Sequence, residues 1–124
     1  MIKALITAAL LTMTTTANAE IIGKVDAKTL GTNVMTPEAL WAMGRISSSA
    51  PSPDGKWVVY QVGYYSVKEN KSHHVLYIIS AKGDNAKLLT LSADNETDPA
   101  WIEGGKRIAF LSNAGGSSQI WSMN

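Results

Sequence analysis

SPDGKWVVY, residues 52–60, is a tight polar turn running into large apolar residues. IEGGKRIAF, residues 102–110, repeats that order in altered form. Gly55-Lys56-Trp57-Val58-Val59-Tyr60 aligns with Gly105-Lys106-Arg107-Ile108-Ala109-Phe110 at an offset of 50. Leu76-Tyr77-Ile78-Ile79-Ser80 aligns with Ile120-Trp121-Ser122-Met123-Asn124 at an offset of 44, the first copy holding six more loop residues. The repeat unit reads as turn, strand, loop, strand, turn, strand, loop and short strand, the second copy being incomplete. Four strands in roughly 40–50 residues is the size of one β-propeller blade.

The pattern within the strands agrees. In KWVVYQVGYY, residues 56–65, Val58, Tyr60, Val62 and Tyr64 share one face while Trp57 and Val59 lie on the other. HVLYIIS at 74–80 is apolar on both faces too. Strands of that kind are covered on both sides, as in stacked blades, whereas a β-sandwich strand keeps one polar face. LLTLS at 88–92, a short strand ending at Trp101, KRIAFLS at 106–112 and QIWSMN at 119–124 complete the series. Polar loops at 66–73, 81–87, 93–99 and 113–118 separate the strands. The expected fold class is all-β: a partial β-propeller, one blade plus most of a second, with a short N-terminal helix.

Working toward the amino terminus, Ser47 to Gly55 reads as a turn-rich connector, with Asp54-Gly55 a hairpin signal. TPEALWAMGRI, residues 36–46, reads as a short helix. Thr36 caps it, Pro37 suits the first turn, Glu38 complements the dipole and Gly44 stops it. Two turns do not hold in water, so Leu40, Trp41 and Met43 are expected to dock. Residues 20–35 form an extended lead-in. Residues 1–19 have the layout of a signal peptide: Lys3, an apolar run over 4–13, then Ala17-Asn18-Ala19. That run is too short to span a bilayer. The expected location is periplasmic or secreted. The boundaries are therefore 1–19 signal peptide, 20–35 lead-in, 36–46 helix, 47–97 first blade and 98–124 incomplete second blade.

Composition bounds the partners. The chain has 124 residues, 45% hydrophobic and 17% charged, with a net charge of +1. That balance gives no reason for a nucleic-acid or anionic-membrane partner. No cysteine is present, so disulfides and cysteine-based zinc sites are excluded.

SPDGKWVVY and DPAWIEGGKRIAFLSNAGGSSQIWSMN resemble the TolB-like propeller repeat. MTPEALWAMGRISSSAPSPDGKWVVYQV is similar to the start of exported serine peptidases of the prolyl oligopeptidase family, of dipeptidyl and acylaminoacyl peptidase type. LLTLSADNETDPAWIEGGKRIAFLS resembles their blade-to-blade junction. The resemblance covers residues 35–124. It implies a propeller that gates access for short peptides, followed by an α/β-hydrolase domain with a Ser, Asp and His triad in a Gly-x-Ser-x-Gly context. The second copy departs from the repeat: Ile102-Glu103-Gly104-Gly105 replaces Ser-Pro-Asp-Gly, so Asp54 has no equivalent and that turn is expected to be looser.

The triad is not expected here. Gly115-Gly116-Ser117-Ser118-Gln119 lacks the second elbow glycine and lies between strands. His73 and His74, the two histidines, are adjacent and point to opposite strand faces, which disfavours joint chelation. Asp54 reads as a turn cap. Asp94, Glu96 and Asp98 read as a solvated loop rather than a calcium site. Trp41, Trp57, Trp101 and Trp121 read as core rather than as a ligand platform. Asn70-Lys71-Ser72 and Asn95-Glu96-Thr97 match the glycosylation triplet, relevant in a eukaryotic secretory pathway. The expectation is therefore an N-terminal piece of a serine peptidase with no catalytic, cofactor-binding or metal residues of its own and no cofactor. It would be inactive alone and would meet peptide substrate only with the missing blades and hydrolase domain. The alternative is a TolB-like periplasmic protein-binding segment without catalysis.

Overall fold

The computed structural model describes residues 21, 23–25, 31, 34–90 and 92–124. The signal-peptide reading of residues 1–19 lies outside these, as does much of the lead-in. Among the described residues one short helix, α1 (Pro37–Ala42), precedes seven strands: β1 (Arg45–Pro51), β2 (Trp57–Ser66), β3 (Lys71–Ser80), β4 (Lys87–Leu88), β5 (Glu96–Ile102), β6 (Arg107–Ser112) and β7 (Gln119–Met123). They form two antiparallel sheets in simple sequence order, β1-β2-β3-β4 and β5-β6-β7. Among the described residues the sheets do not close on themselves, and the architecture is all-β with one short helix, as expected for a partial propeller.

Register explains the doubly apolar strands. Val59, Gln61 and Gly63 pair with Ile78, Leu76 and His74 on one face of the first sheet. Tyr60, Val62 and Tyr64 pair with Tyr77, Val75 and His73 on the other. Val59 and Leu76 on the first face and Val75 on the second are all fully buried. The first face looks toward β5: the Trp101 indole N–H donates to the Ala50 carbonyl at 2.9 Å, and Gln61 Oε1 accepts from the Asp98 N–H at 3.1 Å. Ile108 and Phe110, on the same side of the second sheet as Trp101, complete this core. Toward the opposite face comes the lead-in, where Lys24 Nζ donates to the Tyr77 hydroxyl at 3.3 Å.

Several local expectations change. The helix is shorter than residues 36–46, and Ser47–Pro51 is not a connector but most of β1, hydrogen-bonded to β2. Serine carries no strong strand preference; pairing with the apolar β2 overrides it. Thr36 does cap the helix, its Oγ1 accepting from Ala39 N–H at 3.1 Å. The docking residues differ from those expected. Ala39 is buried, whereas Leu40, Trp41 and Met43 all stay substantially exposed, Trp41 meeting Tyr65 edge-on. Gly44 acts through close approach: a Cβ there would lie 2.8 Å from the Tyr64 ring and 2.9 Å from Val62. In the second sheet, the expected short strand before Trp101 extends from Glu96 to Ile102.

Candidate functional site

The turn that opens the repeat is a closed hydrogen-bond unit. Asp54 Oδ1 accepts from Ser52 Oγ at 2.6 Å and from Lys56 N–H at 3.0 Å, and Ser52 Oγ accepts from Trp57 N–H at 3.0 Å. Those bonds, the Ser52 hydroxyl first, hold the Asp54 carboxyl below its ordinary pKa. Its oxygen is committed to the turn.

The acidic residues of the junction separate. Glu96 is buried and accepts from Ser92 Oγ, while Asp98 is exposed. Among the described residues, no three His, Asp or Glu side chains come together as a metal site would require. His73 is 2% exposed and its Nε2 lies 2.9 Å from the Asp94 carbonyl, so this ring is packed rather than solvated at a strand start. His74 points to the other face, with Nδ1 3.0 Å from Gln61 Nε2. Since Gln61 Oε1 is taken by the Asp98 N–H, its amide nitrogen is the donor and His74 Nδ1 the acceptor. Burial, and then the neighbouring His73, lower the His74 pKa. Gly63 makes room for this ring, since a Cβ there would lie 2.9 Å from His74 Cε1.

The tryptophans have four different settings. Trp101 is tied to Ala50, but Trp41, Trp57 and Trp121 are exposed rather than core, Trp41 resting against Tyr65 and Arg45 with 46% of its surface open. Arg45 stacks between Trp41 and Tyr65, 5.1 Å from each ring, and donates to the Leu40 carbonyl at 3.0 Å. It thereby satisfies one of the helix's terminal carbonyls. A groove of about 460 Å³ lies beside this stack, lined by Trp41, Tyr65, Val67, Asn70, Lys71 and Ser72. The glycosylation triplets diverge: Asn70 is exposed at the β2–β3 hairpin, while Asn95 Oδ1 accepts from His74 N–H at 2.9 Å. Gly115 to Ser118 form an exposed turn between β6 and β7.

Sequence reasoning missed a tyrosine cluster. Tyr60 stacks on Tyr77 at 5.6 Å, and the Tyr64 and Tyr77 hydroxyls are 3.2 Å apart. Lys24 Nζ lies 5.9 Å from the Tyr64 and Tyr77 ring centres. Burial, followed by the Tyr77 hydrogen bond, pushes the Tyr64 phenol well above its ordinary pKa. The i, i+4 spacing of Tyr60 and Tyr64 on one strand was the available signal. The Gln61 bridge left none, because its partners are 13 and 37 residues away. Together these groups can stack planar or apolar surfaces and donate a few hydrogen bonds; His74 presents its ring nitrogen to an amide rather than a nucleophile.

This geometry defines a class: an antiparallel repeat of two packed sheets with a capped helix at its start. Comparison with known proteins is specific. The chain is 45% identical over 93 residues to Dipeptidyl-peptidase 5 of Porphyromonas gingivalis, covering 73% of this chain and 14% of that protein. It is 39% identical over 101 residues to Dipeptidyl-peptidase 5 of Porphyromonas endodontalis, covering 82% of this chain and 15% of that one. The chain is thus related to dipeptidyl peptidases over most of its own length and spans about one seventh of theirs. No family model matches it.

Proposed function

We propose that this chain is the amino-terminal propeller segment of an exported serine peptidase of dipeptidyl-peptidase type, within the prolyl oligopeptidase family. The observation that carries the reading is the 45% identity over 93 residues, 73% of this chain, to a dipeptidyl peptidase. The two sheets supply the first wall of a propeller that restricts entry to short peptides. The nucleophile, base and orienting acid are provided by a downstream hydrolase domain, and the location is periplasmic or secreted. Peptide is a substrate only of the longer enzyme.

The test compares this chain with the protein encoded by its gene together with the frame that follows it. Both are given chromogenic dipeptidyl substrates. Turnover that a serine-directed inhibitor blocks is expected from the longer protein alone. Inhibitor-sensitive turnover by this chain by itself, or a downstream frame without a Gly-x-Ser-x-Gly hydrolase, overturns the reading.

A further inference from the structure

The two sheets are joined through one side-chain amide as well as through Trp101. Gln61 on β2 accepts the Asp98 N–H of β5 on Oε1 at 3.1 Å, and its Nε2 donates to His74 Nδ1 on β3 at 3.0 Å. The polarity of this relay is fixed at one end. A backbone N–H only donates, so Gln61 must turn its oxygen to Asp98 and its nitrogen to His74. His74 Nδ1 must therefore accept, which a neutral ring can do and a doubly protonated ring cannot. Asp98 is set at φ 53°, where the β5–β6 pairing is interrupted between Thr97 and Ala100. Its N–H is thus turned out of the ladder and toward Gln61.

We propose that His74 is a proton-operated latch on this joint, holding the sheets together when neutral and loosening them when protonated. A proton gained at Nδ1 turns it into a donor, and it then faces the donor Nε2 of Gln61. Turning the Gln61 amide over brings its oxygen to the charged ring, but sets its nitrogen against the Asp98 N–H. Either way one bond is lost. The charge-assisted bond to the imidazolium is the stronger, so the bond between the sheets is the one that breaks. The Trp101 indole bond to Ala50 does not involve His74, so release loosens the joint at Asp98 without parting the sheets.

The surroundings favour the neutral ring. His73 adjoins it on its own strand. From β2 the Tyr65 ring meets His74 edge-on at 6.1 Å, and Arg45 of β1 lies 5.1 Å from that ring. From the segment between β4 and β5, Asn95 Oδ1 takes the His74 backbone N–H, and the Asp94 carbonyl lies against His73. From β5, Glu96 accepts from Ser92, and Asp98 is exposed. Among the described residues no carboxylate bonds to the His74 ring. Burial, then His73, lower its pKa from 6.5, in keeping with this setting. The latch therefore holds above pH 6.5 and releases as pH falls through the lowered value. This inference concerns the two sheets of the chain and is independent of the peptidase reading.

The test is an NMR titration of the isotope-labelled chain from about pH 7.5 to about pH 5, across the imidazole range. The His74 ring, the Asp98 amide and the Trp101 indole N–H are followed together. The Asp98 amide is expected to move toward the position of a solvent-exposed amide with the midpoint of the His74 ring, while the Trp101 indole N–H stays in place. Its protection from hydrogen exchange, corrected for the intrinsic rate, should fall by up to about tenfold per pH unit in that window. His74→Gln keeps an acceptor for Gln61 and gains no proton, so its Asp98 amide should not move. An Asp98 amide that stays put while His74 titrates, or that moves with a different midpoint, overturns the proposal; this comparison needs no variant. So does an Asp98 amide that still titrates in His74→Gln, or a midpoint shared by Asp98 and Trp101, which would mean that the fold opens as a whole.

Discussion

The turns before β2 and β6 perform one topological task by different means. Ser52 to Lys56 is closed by side chains, with Ser52 and Asp54 sharing one hydrogen-bond circuit and Ser52 N–H donating to the Trp57 carbonyl at 2.8 Å. Glu103 to Gly105 has no side-chain cap and relies on backbone freedom, with φ of 52°, 68° and 92° in succession. An Arg107–Glu103 ion pair at 3.3 Å, half in solvent, is its main side-chain support. The sheets behind the turns differ in the same sense. The first has four strands, of which the central pair β2 and β3 is buried on both faces; the second has three, and its central strand β6 buries one face. Fold stability should therefore reside in the first sheet, the second holding on through Trp101 and Gln61.

Cavity substitutions should break that contrast most strongly. Leu76→Ala, at a fully buried site, is expected to cost about 2–5 kcal/mol in denaturant unfolding. Leu111→Ala, on the outward face of the second sheet, should cost less than about 1 kcal/mol. Equal losses would mean that the two sheets contribute alike. Gln61→Met comes next. It leaves the Asp98 N–H and the His74 ring without partners, so a loss of about 1–3 kcal/mol is expected. Because Gln61 joins the sheets, hydrogen exchange in β5 should rise more than in β3.

Ser52→Ala probes the capped turn directly and should cost about 1–2 kcal/mol, since a buried hydroxyl serves two partners. The linked acid, Asp54, has its pKa lowered from 3.8. Its contribution is present above that value and fades as pH falls through the lower folded-state value. His74 acts in a higher window. Its folded-state pKa is lowered from 6.5, so below 6.5 the unfolded chain binds the extra proton and stability falls with pH. His74→Gln should flatten the stability profile just below pH 6.5, measured by midpoint shifts in urea.

Much of this was legible in the residues. The offset between Gly55 and Gly105 marked the repeat, and the alternation at Val58 to Tyr64 marked a strand covered on both sides. The Thr36 cap and the contrast between the two turns were also readable, because each depends on neighbours within a few residues. β1 was not, because Ser47 to Pro51 owes its strand state to β2. The Gln61 bridge, the Lys24–tyrosine cluster and the burial of His73 all depend on partners brought in by the fold. The absence of a triad was a reading of missing motifs, and it stands as part of the proposed function.

The smallest expected effect is the sharpest test of how the second turn works. Glu103 sits at φ 52°, where a side chain costs roughly 1 kcal/mol relative to glycine. Glu103→Gly relieves that cost. It also loosens the unfolded chain by about 0.5–1 kcal/mol and removes an exposed ion pair contributing about 0.3–0.5 kcal/mol. The terms nearly cancel, so a change within about 0.5 kcal/mol is expected. A Cβ at Gly104 meets no atom within 4 Å, so Gly104→Ala sets the left-handed backbone cost at φ 68°, about 1–2 kcal/mol, against about 0.5–1 kcal/mol gained from a stiffer unfolded chain, a net loss of about 0.5–1 kcal/mol. If Gly104→Ala proved neutral while Glu103→Gly was costly, the turn would be held by the Arg107 ion pair rather than by its glycines. The difference from the side-chain-capped turn at Ser52 would then be one of chemistry rather than of kind.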